Sequence, residues 1–367
     1  MGDVYENSKM GPFNQITLSK YLAGKKVARG FDVNNFSTVL KGSSTVKDLP
    51  VLMELIYTSF TNINPDPEGY SSYVEKYRPL FANLEKKPEF IFQQACDSTE
   101  FEGNKLMMPP TMSTLVDTNY DKTLNMLKEA LSNPADYTFI FTGNVDLESF
   151  ENLMLQYLGS LTTSAPSTVT VVTPIEMAKG DVVNHFEQQM QTPATYIKTT
   201  YSGYDMEYTT KNAVMINLLG QILQNNYIET LREEVGGTYS PFAYATYNNG
   251  LNCWTISSEV ITNAEKQQEI LDRSALELNN ILTYGVDAVN FNKVKEAAVQ
   301  QNEIQKKNNR YWNTYLMIQN LYPEMHWLSE YEPALLSITL EDFNAFIKTL
   351  NDKKNCIQII MEGVSGE

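Results

Sequence analysis

Four local signatures in the first half of this 367-residue chain return, in the same order, in the second half. A helix ending in glycine at Tyr21-Leu22-Ala23-Gly24 comes back at Glu233-Glu234-Val235-Gly236, 212 positions on. A β-hairpin from Val27 to Leu40, turning at Asn34-Asn35, comes back between Tyr239 and Val260, turning at Asn248-Asn249-Gly250, 214 positions on. The capping box Thr45-Val46-Lys47-Asp48 precedes an apolar face of Leu49, Leu52, Met53, Ile56 and Phe60. It is matched 217 positions later by Thr262-Asn263-Ala264-Glu265 before Ile270, Leu271, Leu278 and Ile281. Leu131 to Asp136, leading into the β-rich run Tyr137 to Phe141, is matched 219 positions later by Leu350 to Asn355 before Cys356 to Met361. An offset that drifts so little is what small loop insertions in a duplicated unit produce, and a chain so built folds as two similar bodies.

The fold class that follows is α+β, with two homologous repeats, each a mostly antiparallel sheet packed with helices. The boundaries read as 1–162 for the first repeat, 163–179 for a linker marked by the polar run from Ser160 to Ser167 and by Pro174, and 180–367 for the second. The second repeat carries the β-rich run Ala194 to Tyr201 ahead of its first long helix. The first has only a helix before Gly24, so it is expected to lack its opening strands. Asn290 to Tyr315, rich in Gln and Asn, reads as one long solvated helix.

Charge narrows the function. With 28 basic and 44 acidic residues the formal charge is −16, which repels phosphate backbones and anionic headgroups and argues against nucleic acid as a partner. Three scattered cysteines give neither a disulfide framework nor zinc-knuckle spacing, and no apolar run reaches the length of a membrane-spanning helix. The two histidines, His185 and His326, stand 141 positions apart, so a helix-borne histidine pair for a metal is impossible.

The chemistry gathers at Leu231-Arg232-Glu233-Glu234-Val235-Gly236-Gly237-Thr238-Tyr239-Ser240. A helix that stops at Gly236-Gly237 reverses there, because glycine accepts the left-handed conformation. Tyr239 then starts the returning strand beside Arg232. A guanidinium and a phenol brought together in this way can both donate to one carbonyl oxygen, holding a peptide and stabilising an oxyanion. An ordinary capped helix followed by a hairpin strand fits the same run. In the other repeat the two positions are Lys20 and Val27, so the scaffold does not require the pair.

The run Leu231 to Tyr239, with arginine and tyrosine seven apart across glycine, resembles the Arg/Tyr element in the C-terminal half of pitrilysin-type (inverzincin) zinc peptidases, the group of insulin-degrading enzyme and the mitochondrial processing peptidases. Leu18 to Val27, with Gly42-Ser43-Ser44 and Lys47-Asp48-Leu49, resembles the third repeat of the long bacterial members, and Tyr137 to Asp146 the strand and loop that end such a repeat. The resemblance covers essentially the whole chain. It implies two halves, each of two α+β repeats, closing a chamber around a peptide. The zinc motif His-x-x-Glu-His belongs to the N-terminal half of such enzymes and does not occur here, so zinc is expected in an N-terminal half or partner chain and no metal or cofactor in this one. By the same resemblance Tyr239 donates to the developing oxyanion and Arg232 holds a substrate carbonyl, with Gly236 and Gly237 part of the substrate-binding turn, and the isolated chain hydrolyses nothing. The partners implied are the zinc-bearing half and peptide substrates, without insertion into a membrane. A noncatalytic subunit or peptide-binding module that pairs with a separate zinc-bearing chain is the alternative. The compartment stays open, with a bacterial periplasm or envelope favoured by the resemblance.

Overall fold

A computed structural model describes residues 1–35, 37–167, 175–350 and 354–365; part of the expected linker and the loop at Asn351-Asp352-Lys353 lie outside the described residues. The chain forms two compact units. One contains Met1–Lys87 and the residues from Pro110 to 167; the other contains Pro88–Pro109 and the residues from 175 onward.

The first unit runs α1 (Gly2–Glu6), β1 (Lys9–Met10), α2 (Gln15–Tyr21), β2 (Val27–Val33), β3 (Thr38–Ser44), α3 (Leu49–Thr61), β4 (Ile63–Asn64) and α4 (Pro67–Leu84). The next helix, α5 (Pro88–Glu100), belongs to the other unit, and the first resumes with α6 (Met112–Asp117), α7 (Tyr120–Ala130) and α8 (Leu147–Tyr157). β2 and β3 pair antiparallel from Val27–Ser44 to Val33–Thr38, and β1 pairs with β4. Buried Tyr5, Phe31, Leu55, Leu124 and Leu127 form its main core.

The second unit contributes β5 (Asp181–Met190), β6 (Thr195–Gly203), α9 (Thr210–Tyr227), a wide helical turn (Ile228–Glu234), β7 (Phe242–Asn248), β8 (Cys253–Thr262), α10 (Gln267–Tyr284), α11 (Ala288–Gln305), α12 (Asn309–Leu321), α13 (Trp327–Ser337), α14 (Leu340–Thr349) and β9 (Asn355–Ser365). Its five-stranded sheet has the order β5-β9-β6-β8-β7, so the last strand lies inside it, parallel to β5 and antiparallel to β6. The architecture is mixed α+β. α9 is apolar almost all round because it is the central helix, burying Val214, Ile216, Leu219, Ile222 and Leu223. On the opposite face of the sheet, Phe92, Cys96 and Phe101 from α5 and its end pack with Tyr196, Ile357, Ile359 and Met361.

Polar bonds fix α5 there. Glu100 and Lys198 are both buried and 3.1 Å apart, Thr200 donates to the same carboxylate at 2.6 Å, and Asn184 donates to Thr99 at 2.8 Å. Burial opposes the Lys198 ammonium, yet the opposing charge of Glu100 keeps its pKa above the ordinary lysine value. Burial, and then the Glu89 carboxylate that accepts its hydroxyl proton, push Tyr196 up to about 12.

Three expectations need correction. Tyr137–Phe141 lies outside every strand: its counterpart β9 is held between β5 and β6, and among the described residues the first unit has no strands in those places. Its rings pack instead, Tyr137 and Phe139 on Phe60 at 5.1 and 5.7 Å and Phe141 on Phe150 at 5.2 Å. The second capping box does not form, because Thr262 still belongs to β8; Asn263 instead closes a turn ahead of the helix, accepting from the Lys266 N–H at 2.9 Å, and α10 starts after Lys266 without a side-chain cap. Asn290 to Tyr315 is two helices, not one, since the Asn308 side chain accepts from the Arg310 N–H at 2.9 Å and starts α12 anew.

Removing one member of a buried ion pair leaves the other uncompensated. Glu100→Ala is therefore expected to destabilise the protein by about 3–5 kcal/mol in denaturant unfolding, and the apolar pair Glu100→Leu with Lys198→Met by much less. At the start of α3, the Lys26 N–H foremost and the Thr45 hydroxyl next hold the Asp48 carboxyl below its ordinary range. A depressed folded-state pKa stabilises above the unfolded value of about 3.9 and is lost as pH falls through the folded one. Asp48→Asn is expected to flatten that acid limb in pH-dependent melts.

Candidate functional site

Placement of the Arg232–Tyr239 segment begins with α9. Gly220 lies against β7 so closely that a Cβ there would sit 2.3 Å from the Ala245 nitrogen, which lets the helix rest directly on the strand backbone. One turn later the Gln224 side chain donates to the Pro241 carbonyl at 3.0 Å and accepts from the Ala243 N–H at 2.6 Å, taking the place of a neighbouring strand at the start of β7. At the end of the helix, buried Tyr227 donates to the Ser274 carbonyl at 3.0 Å and ties α9 to α10.

The helix then widens. The Val235 N–H reaches the Thr230 carbonyl at 2.9 Å, a five-residue step in place of four, which turns Leu231 fully inward and leaves Arg232 exposed. Gly236 ends the turn in the left-handed region, with φ at +63°. Gly237 passes close under α10, where a Cβ would meet the Ile270 side chain at 2.9 Å, and its carbonyl accepts the Thr262 hydroxyl at 2.5 Å. Glu234 is held by Arg273 of α10 at 2.7 Å.

Arg232 and Tyr239 are thereby brought together, the guanidinium carbon 5.1 Å from the centre of the tyrosine ring, and that ring is 81% exposed. Tyr239 does not start the strand, as the sequence suggests; β7 begins at Phe242. Ladder register explains the difference. The first hairpin pairs to its foot, Val27 against Ser44, whereas the second stops at Phe242 against Glu259, although β8 continues to Thr262. Pro241 has no N–H to give to the ladder, so the preceding residues peel away and the phenol stands free of the sheet.

The donors of the described residues do not fit zinc. His185 lies across from Glu362 at 3.0 Å on the sheet, His326 precedes α13, and no group of three or more His, Cys, Asp or Glu forms a cluster among the described residues. What the site can do is present two donors, a guanidinium and a phenol, on an accessible turn. Gln224 and Thr262, which fix that turn, escape sequence reasoning. Pro241, two residues after Tyr239, is the only sequence signal that the ladder ends there.

Residues 120–298 match the profile of the peptidase M16 inactive domain. The chain is 20% identical over 348 residues to the probable zinc protease PqqL of Escherichia coli (strain K12), covering 93% of this chain and 36% of that protein. It superposes on the crystal structure of the periplasmic protease PqqL from Escherichia coli with a TM-score of 0.84 at 17% identity, over 98% of this chain and 40% of that one. It also superposes on the peptidase M16 inactive domain from Pseudomonas fluorescens with a TM-score of 0.77 at 14% identity, over 100% of this chain and 88% of that one. The chain thus spans well under half the length of PqqL. These matches support a peptidase M16 inactive domain within the chain and fit the C-terminal half of a pitrilysin-type protease.

Gln224→Ala is expected to leave the sheet intact while freeing its first turn. Hydrogen exchange at the Ala243 amide should accelerate by at least about tenfold while that of the inner strand β6 stays protected.

Proposed function

We propose that this chain is the C-terminal half of a zinc endopeptidase that encloses peptides, and that it supplies Arg232 and Tyr239 to a reaction whose zinc sits on the N-terminal half or a partner chain. The observation that carries this reading is the release of Tyr239 from the ladder beside Arg232, at a position where the first hairpin is paired. To a scaffold alone, a guanidinium over a tyrosine that is 81% exposed contributes no more than about 1 kcal/mol. In the proposed complex Tyr239 donates to the oxygen that becomes negative as water adds to the scissile carbonyl, and Arg232 donates to a neighbouring substrate carbonyl. Gly236 and Gly237 let the backbone of the turn approach the peptide. Each donor contributes to rate only as far as it binds the transition state more tightly than the substrate.

The test is peptide hydrolysis by this chain alone and after mixing with the separately expressed N-terminal part of the longer protein, loaded with zinc. No turnover is expected from the chain alone. In the mixture, Tyr239→Phe is expected to lower kcat/KM by about 10²-fold, the effect of losing one oxyanion donor, while Arg232→Ala raises KM. A mixture whose turnover is indifferent to Tyr239→Phe overturns the role of the pair. Peptide binding without turnover in any mixture moves the chain to a noncatalytic binding subunit.

A further inference from the structure

Polar side chains that the rest of the fold leaves unused gather at one open cavity of about 420 Å³ in the second unit, between α9, α11 and β7. Its floor is made of buried Gly220, Ala243, Ala245 and Val294. These are small or branched apolar residues, and Gly220, resting on the strand backbone, sends nothing into the space. A concave apolar floor with a few polar groups at its rim is the usual build of a ligand site.

The polar groups come from both helices. On α9, Asn217, Gln221 and Asn225 stand one to a turn, and among the described residues their side-chain amides make no hydrogen bond. Gln224 of the same helix shows what such an amide does on meeting a peptide edge, since it donates to the Pro241 carbonyl and accepts from the Ala243 N–H as a paired strand would. Four residues of α-helix rise about 6 Å, close to the roughly 6.6 Å at which an extended chain presents the same edge again. The row of three amides thus keeps step with the N–H and C=O groups of an extended peptide. On α11, Lys293 is exposed at the cavity, and among the described residues no carboxylate pairs with it. It is the only charged group among the described residues that line the cavity.

We infer that this cavity binds the C-terminal end of an extended peptide, with the last side chain, an apolar one, on the floor, the backbone along the amide row of α9 and the free carboxylate on the Lys293 ammonium. Charge selects the end of the peptide, because an α-amino group brought to the same place would be repelled. The amides select a peptide over a small apolar acid, which would cover their donors and acceptors without replacing the water bound to them. The inference rests on the reading of this chain as one that takes up peptides, but not on the chemistry of Arg232 and Tyr239.

The probe is an N-acetylated hexapeptide of glycine and serine ending in Ala-Leu, titrated into this chain by calorimetry with its C-terminus as the free acid and as the amide. The acid is expected to bind at least about tenfold more tightly than the amide, the effect of one hydrogen bond between charged groups. Lys293→Met is expected to bring the acid down to the affinity of the amide and to leave the amide unchanged. Ala297→Trp, at an exposed position of the lining, is expected to weaken both peptides by filling the cavity. Lys122→Met, at an exposed lysine of α7, is expected to change neither. Equal affinity for acid and amide, no binding of either, or acid binding that is indifferent to Lys293→Met or equally sensitive to Lys122→Met overturns the inference. N-acetyl-leucine bound as tightly as the hexapeptide also overturns it, in favour of a site for small acids. Because binding to this chain alone is read, without turnover, a failed Tyr239→Phe test leaves this result standing, and a failure here leaves that one standing.

Discussion

The direct contact of α9 with the backbone of β7, possible only because residue 220 is glycine, is the constraint on which the candidate site depends. It sets the helix at a depth from which Gln224 can reach Pro241 and Ala243 and from which the wide turn can bring Arg232 out beside the loop. A side chain at position 220 would push the helix off the strand. Gln224 would then lose both backbone partners, and the loop that carries Tyr239 would have nothing to hold its far end. The site is thus a consequence of close packing more than three turns away from its chemistry, from Gly220 to Arg232.

A second constraint governs the sheet. β9 comes last in the chain yet pairs with both β5 and β6, so the sheet is incomplete until the C-terminal residues join it. Its inner positions Ile357, Ile359 and Met361 face α5, a helix drawn from the earlier part of the sequence, and the buried Glu100–Lys198 pair locks that helix in place. Contacts of such wide sequence separation are invisible to local periodicity. Residues 88–109 accordingly group with the second compact unit, because α5 is continuous with its neighbours in the chain but packs on a sheet formed much later.

What was legible in the sequence follows from local physics. Asn-rich turns placed both hairpins, glycine placed the end of the helical turn at Gly236, and the apolar faces of α3 and α10 were readable from their spacing. The errors arose where a distant partner decides. Tyr137–Phe141 has strand composition but no sheet to enter, and Thr262 has the composition of a cap but is claimed by the ladder with Thr195. Of the site, Arg232, Gly236, Gly237 and Tyr239 were named from the sequence, while Gln224 and the Thr262–Gly237 bond were not, because a glutamine in a helix carries no mark of the carbonyl it will meet.

By itself, then, the sequence determined the residue types and their order: a helix end, two glycines and a tyrosine seven positions after an arginine, twofold recurrence of its landmarks, and a net charge of −16 that disfavours polyanions. Only the tertiary structure decided that the tyrosine leaves the ladder, since that depends on the β7–β8 ladder stopping at Phe242 and on Gln224 meeting Pro241. Backbone propensities act over a few residues and can be read along the chain, whereas burial depends on which surfaces arrive from elsewhere.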